Sequence, residues 1–196
     1  MPEPTTRRNR PTAEVRDQIV GAAAELFAHR APSDVTLREI AERADVQHSL
    51  IIRHFGSKDG LVQAVVGRTA TGYAEQVAGA SDPADGFVRA LHHLLANPVA
   101  AAAFASAQIA NDEPGDVQRS YPGATLHRSA IEAAAGPDSR DPRIVAAVGV
   151  CVVAGWSMLE DWARAAFDLD AVPIDDLREE VADMIRDLIT RGADLD

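Results

Sequence analysis

Apolar residues recur at helical spacing along almost the whole chain, and no segment keeps the alternation of polar and apolar residues that is typical of a β-strand. Proline and glycine interrupt this pattern, for example at Asn97-Pro98 and Gly136-Pro137. Two short helices are predicted between residues 36 and 55. Longer helices are predicted at about residues 12–29, 57–78, 84–96, 98–110, 122–135, 141–167 and 174–191. The sequence therefore predicts an all-α protein, with an N-terminal three-helix helix-turn-helix head and a C-terminal helical bundle.

Residues 36–61, TLREIAERADVQHSLIIRHFGSKDGL, carry the most informative pattern. Thr36 and Glu39 match a capping box that opens a first short helix, and Asp45 tolerates the left-handed conformation of a tight turn. The apolar face of the next helix consists of Val46, Leu50 and Ile51. Its outward face consists of Gln47, His48, Ser49, Ile52 and Arg53. Because a helix-turn-helix places its second helix in the major groove, the pattern predicts sequence-specific DNA binding.

Charge is distributed unevenly along the chain. The net charge is −11, but residues 1–60 contain 9 basic and 9 acidic side chains, whereas residues 61–196 contain 10 and 21. This asymmetry favours a DNA-binding domain over residues 1–60 and an acidic body over residues 61–196, since phosphate repels the acidic part. Within the head, Arg7, Arg8 and Arg10 form a basic arm. The arm either enters an adjacent minor groove or remains a solvated tail.

Cysteine use and hydropathy restrict the compartment. The single cysteine excludes an internal disulfide framework and indicates a reducing cytoplasm. Cys151 stands in the run IVAAVGVCVVAGW, so we expect a small buried hydrophobe and not a reactive thiol. The N-terminus lacks the apolar stretch of a secretory signal, and no apolar run is expected to be long enough to span a bilayer. We therefore expect a cytoplasmic protein with no membrane partner.

The predicted helix at 141–167 is apolar or small on nearly every face from Ile144 to Trp156, which indicates burial on more than one side. Small residues such as Gly149 would let another helix approach closely. The last predicted helix has one apolar stripe, formed by Ile174, Leu177, Val181, Met184, Ile185 and Leu188. We expect both helices to pair with their copies in a homodimer. An ordinary buried core helix is the alternative interpretation.

Residues 16–66 resemble the DNA-binding head of the tetracycline-repressor (TetR) family. The resemblance rests on AAAELF in the first helix, the block TLREIAERA, the pair His54-Phe55, and Ser57-Lys58 at the start of the long helix. Several spaced matches in the right order are more specific than a bare helix-turn-helix pattern. The similarity covers about the first third of the chain. The remainder is similar only in being an all-helical body of the right length.

The resemblance implies roles in DNA binding for the residues that match the family's motif. Contacts to phosphate are implied for Thr36, Arg38, His54 and Lys58, the last at the positive N-terminus of the long helix. The recognition face is implied to consist of Gln47, His48, Ser49 and Arg53.

Three residues depart from the family's pattern. Ile52 stands where a tyrosine is usual, so it either touches a thymine methyl group or packs on the head. Asp45 replaces the usual turn glycine. Gln47 replaces a common Ser or Thr cap, and its amide can read adenine. These differences bear on the operator sequence more than on DNA binding itself.

The resemblance also implies a ligand pocket in the body, beneath the head. Candidate lining residues combine aromatic surface with a few polar groups; they are Phe87, His92, Phe104, Gln108, Tyr121, His127, Trp156 and Trp162. Core packing is the alternative role for each. His92 and His93 are adjacent on a helix and so point about 100° apart, which is poor geometry for joint ligation. We expect no metal site and no cofactor.

Enzyme motifs fit the chain poorly. Gly155-Trp156-Ser157 begins like a nucleophile elbow, but the last glycine is absent and the segment lies inside a predicted helix. The sequence therefore predicts a bacterial, nucleoid-associated transcriptional regulator. It would be a homodimeric repressor that an unknown small-molecule effector releases from a palindromic double-stranded DNA operator. The alternatives left open are a ligand-independent DNA-binding protein and a helical protein–protein adaptor that has lost DNA binding.

Overall fold

The computed structural model describes residues 11–110, 120–137 and 139–193. Arg7, Arg8 and Arg10 of the predicted basic arm lie outside these ranges. Within them the chain forms α-helices and one short 3-10 turn, Pro32–Asp34, and it forms no strand. The helices are α1 (Thr12–Phe27), α2 (Leu37–Arg43), α3 (His48–Phe55), α4 (Lys58–Ala78), α5 (Pro83–Ala96), α6 (Pro98–Ile109), α7 (Pro122–Ala134), α8 (Pro142–Ala166) and α9 (Ile174–Ala193). The predicted all-α fold is confirmed, with helix bounds close to those expected from periodicity.

The N-terminal head is built around its own core. Helices α1, α2 and α3 pack around fully buried side chains that include Ile19, Phe27, Ile40 and Ile51. The same core continues into α4 and α6 through Leu61, Val62, Val65, Val66, Ala103 and Ala107. Helix α4 therefore belongs to both parts of the molecule, because its first half closes the head and the helix also packs on α5, α6 and α7 of the body.

The body is organised around α5, which packs against α4, α7, α8 and α9. Phe87 and Leu91 of α5 are fully buried. A Cβ on Gly149 of α8 would lie 2.5 Å from Cε1 of Phe87 and 2.8 Å from Cδ1 of Ile189. The glycine therefore lets α8 approach α5 and α9 closely, as its small size predicted.

A polar contact joins α8 to α9 at the edge of the body's core. Arg178 donates through Nε to Oε1 of Glu160 at 2.9 Å and through Nη2 to Oε2 at 2.7 Å. Trp156 donates through Nε1 to Oε1 of the same carboxylate at 3.3 Å. Hydrogen bonding to Arg178 holds the pKa of this buried carboxyl below its usual range. Because a buried carboxylate needs such partners, the contact restricts how α8 and α9 pack together.

One face of α8 is exposed, although its composition predicted burial on more than one side. The large apolar side chains on this face are Ile144, Val148, Val152, Met158, Leu159 and Trp162. Cys151 is exposed there too, so the prediction of a buried cysteine is wrong. Periodicity identifies an apolar face, but it contains no information about whether the chain itself supplies a neighbour for that face.

The expectation that no apolar run is long enough to span a bilayer is also wrong. By length and composition α8 could cross a membrane, with a mean hydropathy of 1.7 over an 18-residue window of which 22% is buried. Length and composition are weak evidence for a span, because the core helix of a soluble protein passes the same test. Here α8 packs against α5, α6, α7 and α9 and carries the Glu160 carboxylate that Arg178 binds.

The apolar stripe predicted on the last helix divides into two parts. Leu177, Val181 and Ile185 are buried in the body's core. Met184 and Leu188 are exposed, and they line an open apolar groove together with Ile144, Val148 and Val152 of α8. The groove and the exposed face of α8 therefore form one continuous apolar surface across two helices.

Candidate DNA-binding surface and ligand cavity

The first helix of the motif, α2, begins with the predicted capping box. Oγ1 of Thr36 accepts a hydrogen bond from the N–H of Glu39 at 3.2 Å, and Oε2 of Glu39 accepts one from the N–H of Thr36 at 2.7 Å. Nη1 of Arg30 donates to Oε1 of Glu39 at 2.7 Å. These hydrogen bonds lower the pKa of Glu39 to about 2, and the bond from Arg30 has the largest effect. They join the chain just after α1 to the start of α2.

The turn between α2 and α3 is a Schellman motif. Asp45 has the left-handed φ of 47° that the sequence predicted for this position. Its N–H donates to the carbonyl oxygen of Glu42 at 3.3 Å, and the N–H of Val46 donates to that of Ala41 at 3.0 Å. Two backbone bonds across one turn determine where α3 starts relative to α2.

The second helix of the motif, α3, presents an outward face of side chains that have no partner. Its inner side is anchored by Ile51, which is fully buried, and by Val46, which packs on the head's core. Ile52 is 41% exposed. The remaining outward side chains make no hydrogen bond or ion pair with the residues that the structure describes; they are Gln47, His48, Ser49 and Arg53. The predicted outward orientation of α3 is confirmed.

Cations on α2 are engaged, in contrast to Arg53 on α3. Nε of Arg38 donates to Oε1 of Glu42 at 3.0 Å, and Arg43 pairs with Glu25. The Arg38 pair is highly exposed, so it contributes little to stability and leaves the guanidinium accessible to another anion. Thr36 is exposed as well, at the N-terminal end of α2.

Two glycines shape the corner between α3 and α4. Gly56 has a φ of 74°, which an L side chain rarely adopts. Gly60 lies under the end of α3, since a Cβ there would be 2.1 Å from the carbonyl oxygen of Phe55. Oγ of Ser57 accepts a hydrogen bond from the N–H of Gly60 at 3.1 Å, which confirms the predicted N-cap. Neither glycine was predicted from the sequence. A glycine directly after the last apolar residue of a helix was the available signal for Gly56.

Lys58 opens α4 and is bonded back to the head. Its Nζ donates to the carbonyl oxygen of Ser33 at 3.1 Å, in the 3-10 turn that precedes α2. His54 lies at the end of α3 and is half-buried, with its ring 6.1 Å from that of Phe55. The lysine therefore stands at the positive N-terminal end of α4, where helix geometry favours an anion.

A second candidate site is a cavity of about 250 Å³ between α4, α5, α6, α7 and α8. Three predicted pocket residues line it, namely Phe104, Gln108 and Tyr121. Other wall residues were not predicted from the sequence, among them Thr69, Tyr73, Ser157 and Met158. Their helical spacing is that of ordinary core positions, so the sequence contained no signal that separates a cavity wall from a packed core.

The other five predicted pocket residues lie elsewhere. Phe87 and His127 are fully buried in the body, where their rings stack with centroids 3.6 Å apart. His92 is exposed on α5. Trp156 lies at the contact between α8 and α9, and Trp162 is 61% exposed. These positions can be distinguished from positions on the cavity wall only by contacts between residues that are distant in the chain.

A polar pair connects Tyr73 on the cavity wall to the stacked ring of His127. Oη of Tyr73 lies 2.9 Å from Nε2 of His127. Burial raises the pKa of Tyr73 and lowers the pKa of His127 to about 4, so both side chains are neutral near pH 7. The Tyr73 ring packs on Gly123, where a Cβ would lie 2.5 Å from Cδ1 of the ring.

No metal-binding site is found within residues 11–110, 120–137 and 139–193. No three His, Cys, Asp or Glu side chains in these ranges are close enough together to hold an ion. The described chain therefore offers two candidate sites, the outward face of α3 and the cavity in the body.

A helix-turn-helix head on a long helical body defines a class of transcription regulators. The family model described as "Bacterial regulatory proteins, tetR family" matches residues 19–65. The chain is 32% identical over 183 residues to the HTH-type transcriptional regulator Mb3439c of Mycobacterium bovis and to the HTH-type transcriptional repressor Rv3405c of Mycobacterium tuberculosis, and these matches cover 92% of this chain and 93% of each relative. The chain belongs to the TetR family and is a helix-turn-helix transcriptional regulator.

Solved structures have the same fold. The transcriptional regulator SCO4942 from Streptomyces coelicolor matches with a TM-score of 0.67 at 23% identity, over 89% of this chain and 97% of that one. NalD, the secondary repressor of the MexAB-OprM multidrug efflux pump in Pseudomonas aeruginosa, matches with a TM-score of 0.65 at 18% identity, over 95% and 100% of the two chains. At these identities the likeness concerns the fold alone.

Proposed function

We propose that this regulator is a repressor, which binds a palindromic operator as a homodimer and leaves it when a small molecule occupies the body. The observation that carries the proposal is the outward face of α3. Its polar side chains have no partner in the described chain, and the helix is held by the Schellman turn at one end and the glycine corner at the other. A helix that is rigidly held and rich in free hydrogen-bonding groups suits the major groove. The name of the Mycobacterium tuberculosis relative, a repressor, agrees.

Base reading is assigned to the outward residues of α3. The Arg53 guanidinium suits guanine and the Gln47 amide suits adenine, while the exposed methyl groups of Ile52 suit a thymine methyl. His48 and Ser49 lie near the helix N-terminus, the part of a recognition helix that reaches base edges.

Phosphate contacts are assigned to the residues around α3. Thr36 and Arg38 are exposed on α2, and Lys58 stands at the N-terminus of α4. His54 extends this row from the exit of α3. Arg7, Arg8 and Arg10, which lie outside the described residues, are assigned to a flanking groove or backbone contact.

Dimerisation is assigned to the exposed apolar surface of α8 and α9. A surface formed by Ile144, Val148, Val152, Met184 and Leu188 on two adjacent helices is larger than isolated apolar residues require, and a second copy would bury it. We accordingly assign residues 1–60 to DNA binding and residues 61–196 to effector binding and dimerisation. Two such copies would place their recognition helices about 34–36 Å apart, in successive major grooves.

The switch is assigned to α4. Thr69 and Tyr73 of this helix line the cavity, and its first turn supports α3 through Gly60. A ligand that moves α4 therefore moves the recognition helix. The ligand releases DNA only if it binds the non-DNA-binding arrangement more tightly, since equal affinity for both arrangements shifts neither population.

We assign a regulatory and not a catalytic activity to this protein. We place it in the bacterial cytoplasm, on the nucleoid. The curated relatives are named as transcriptional regulators. No metal or cofactor enters the proposed mechanism.

Selection of bound sequences from a random double-stranded DNA pool, at near-physiological salt, tests the proposed function. The expected result is a palindrome with half-sites about one helical turn apart. Recovery of no motif, with affinity that disappears as salt rises, would indicate non-specific binding and favour an adaptor. A recovered palindrome whose affinity no compound of a broad panel alters would indicate a ligand-independent DNA-binding protein.

A further inference from the structure

The wall of the cavity is almost entirely apolar. Among the described residues that line it, none carries a charge, and its bulky apolar side chains include Leu94, Phe104, Val150 and Met158. A charged molecule that left water for this wall would lose its hydration without meeting a counter-charge, which is strongly unfavourable. The described wall therefore selects for an uncharged ligand.

Two of the hydroxyl groups on the wall are already used. Oγ1 of Thr69 donates to the carbonyl oxygen of Val65 at 3.3 Å, one turn earlier on α4. Oγ of Ser157 donates to the carbonyl oxygen of Ala154 at 2.9 Å. Neither hydroxyl proton is available to a ligand, so hydrogen bonding from the wall depends on other side chains.

The geometry around His127 determines which proton Tyr73 can offer. Nδ1 of His127 is buried and has no partner among the described residues; it faces Gly86, where a Cβ would be 3.6 Å away. Buried N–H groups without an acceptor are rarer than acceptors without a donor. Because the ring is neutral, the favoured tautomer leaves Nδ1 bare and puts the proton on Nε2, which then donates to Oη of Tyr73 at 2.9 Å. The tyrosine oxygen is satisfied as an acceptor, and its own O–H is left to donate to another group.

We propose that the cavity binds an uncharged, mainly apolar molecule of about one or two rings, whose acceptor oxygen accepts a hydrogen bond from the hydroxyl group of Tyr73. His127 is the positioning residue, because it orients that hydroxyl. The size follows from the volume: an apolar cavity of ~150 Å³ holds a benzene molecule, and this one measures about 250 Å³. The inference rests on the proposed function, since it names the chemical class of the effector that the body would bind.

Calorimetric titration of the full-length protein with three small probes tests the ligand class. Acetophenone has one ring and a carbonyl acceptor, ethylbenzene has a similar skeleton without the acceptor, and benzoate has a similar size with a negative charge. We expect acetophenone to bind about fivefold more tightly than ethylbenzene, the contribution of one hydrogen bond. Benzoate should show no binding. Equal affinities for the two neutral probes, no binding of either, or tighter binding of benzoate would overturn the inference.

Two matched variants locate the donor. Tyr73→Phe keeps the ring that packs on Gly123 and should make the affinities for acetophenone and ethylbenzene about equal. Tyr121→Phe removes the other tyrosine hydroxyl on the wall and tests whether that group is the donor instead of Tyr73. The ratio of the two affinities within one variant does not depend on its stability, so a partly destabilised Tyr73→Phe protein still gives an answer. A preference that survives Tyr73→Phe, or that Tyr121→Phe removes, would contradict the assignment.

The operator recovered from the random pool separates this inference from the proposed function. If neither neutral probe binds but a charged compound releases the operator, the ligand class is wrong and the switch stands. If acetophenone binds with the expected dependence on Tyr73 and no compound of any class changes operator affinity, the ligand class is right and the switch fails.

Discussion

A Cβ placed on Gly60 would lie 2.1 Å from the carbonyl oxygen of Phe55, so the first turn of α4 presses directly on the last residue of the recognition helix. The same helix carries Thr69 and Tyr73 on the cavity wall. About nine to thirteen residues of α-helix separate these points, or roughly 14–20 Å at 1.5 Å per residue. One continuous helix thus joins the cavity to the end of the DNA-reading element.

Gly60→Ala should destabilise the head and weaken operator binding. The added methyl group would have to displace backbone, because its neighbour is a carbonyl oxygen and not a flexible side chain. We expect a loss of about 1–3 kcal/mol in the free energy of unfolding, the usual range for overpacking. Urea unfolding measures the loss.

Gly67→Ala is the matched control on the same helix. Gly67 is exposed and a Cβ there would meet nothing within 4 Å. Alanine should stabilise the protein by up to about 1 kcal/mol, because glycine is a poor helix former. If the two variants changed stability alike, the close contact between α3 and α4 would be absent in solution.

Lys58→Ala should weaken binding to every DNA sequence by a similar factor. A phosphate contact carries no base information, so its loss should reduce the slope of log affinity against log salt by about 1. Fluorescence anisotropy at several salt concentrations measures the slope. Arg68→Ala is the control, since Arg68 is exposed on α4 roughly 15 Å further along the helix axis; its removal should leave the slope unchanged.

His48→Ala should change sequence preference and leave the salt slope almost unaltered. His48 is exposed near the N-terminus of α3 and has no partner in the described chain. Repeating the selection from random DNA with this variant should relax the motif at one or two positions. Equal losses of affinity for all sequences in both the His48 and the Lys58 variants would contradict the division into reading and positioning residues.

Stability should fall on mild acidification because of His127. Its folded pKa of about 4 lies below the usual 6.5, so between these values the unfolded chain takes up a proton that the folded protein does not. The stabilisation is complete above pH 6.5 and is lost as pH falls towards 4, by about 3 kcal/mol in total. The contribution of Glu39 to stability is lost at lower pH, as pH falls from its usual pKa of 4.5 towards its folded pKa of about 2.

Unfolding measured between pH 4.5 and 7 isolates the contribution of His127. His127→Gln should flatten the dependence in this window. Tyr73→Phe retains the buried imidazole and should keep the dependence. A wild-type free energy of unfolding that does not change with pH in this window would show that His127 is not buried as a neutral ring.

Val148→Glu should dissociate the proposed dimer. The side chain is 45% exposed in the single chain and lies in the middle of the apolar face of α8. A carboxylate there would be buried without a partner in the dimer, facing its own copy across a two-fold axis. Leu126→Glu is the control, because Leu126 of α7 is a large apolar residue that is 37% exposed and lies outside this face. Analytical ultracentrifugation should show a monomer for the first variant and an unchanged species for the second; unchanged mass for both would exclude α8 as the interface.

Much of the DNA-binding surface could be predicted because its determinants are local. The capping box spans Thr36 to Glu39, and the Schellman turn spans Ala41 to Val46. Each involves residues at most five positions apart, so the side chains present in the sequence specify the bond that forms. The glycine corner was missed although Gly60 and Phe55 are also only five positions apart, because their contact depends on the angle between α3 and α4 and not on a capping or turn pattern.

The cavity was predicted much less well, since its wall is assembled from five helices. Phe104 lines it while Phe87 and His127 are packed in the core, although all three stand at periodic positions of helices, and Tyr121 lines it from the residue just before α7. Tyr73, which carries the proposed donor, had no distinguishing signal in the sequence. Its importance arises from a partner 54 positions away.

The sequence by itself determined the nine described helices, their order and the outward face of α3, because helix formation, capping and turns depend on neighbouring residues. Only the tertiary structure decided which apolar faces meet within the chain. It placed Val181 in the core and left Met184 exposed, although both belong to one apolar stripe of α9, and it left Cys151 of the apolar helix α8 exposed. The physical reason is that a hydrophobic pattern specifies that a face avoids water, while the identity of the surface that covers it depends on packing between residues far apart in the chain.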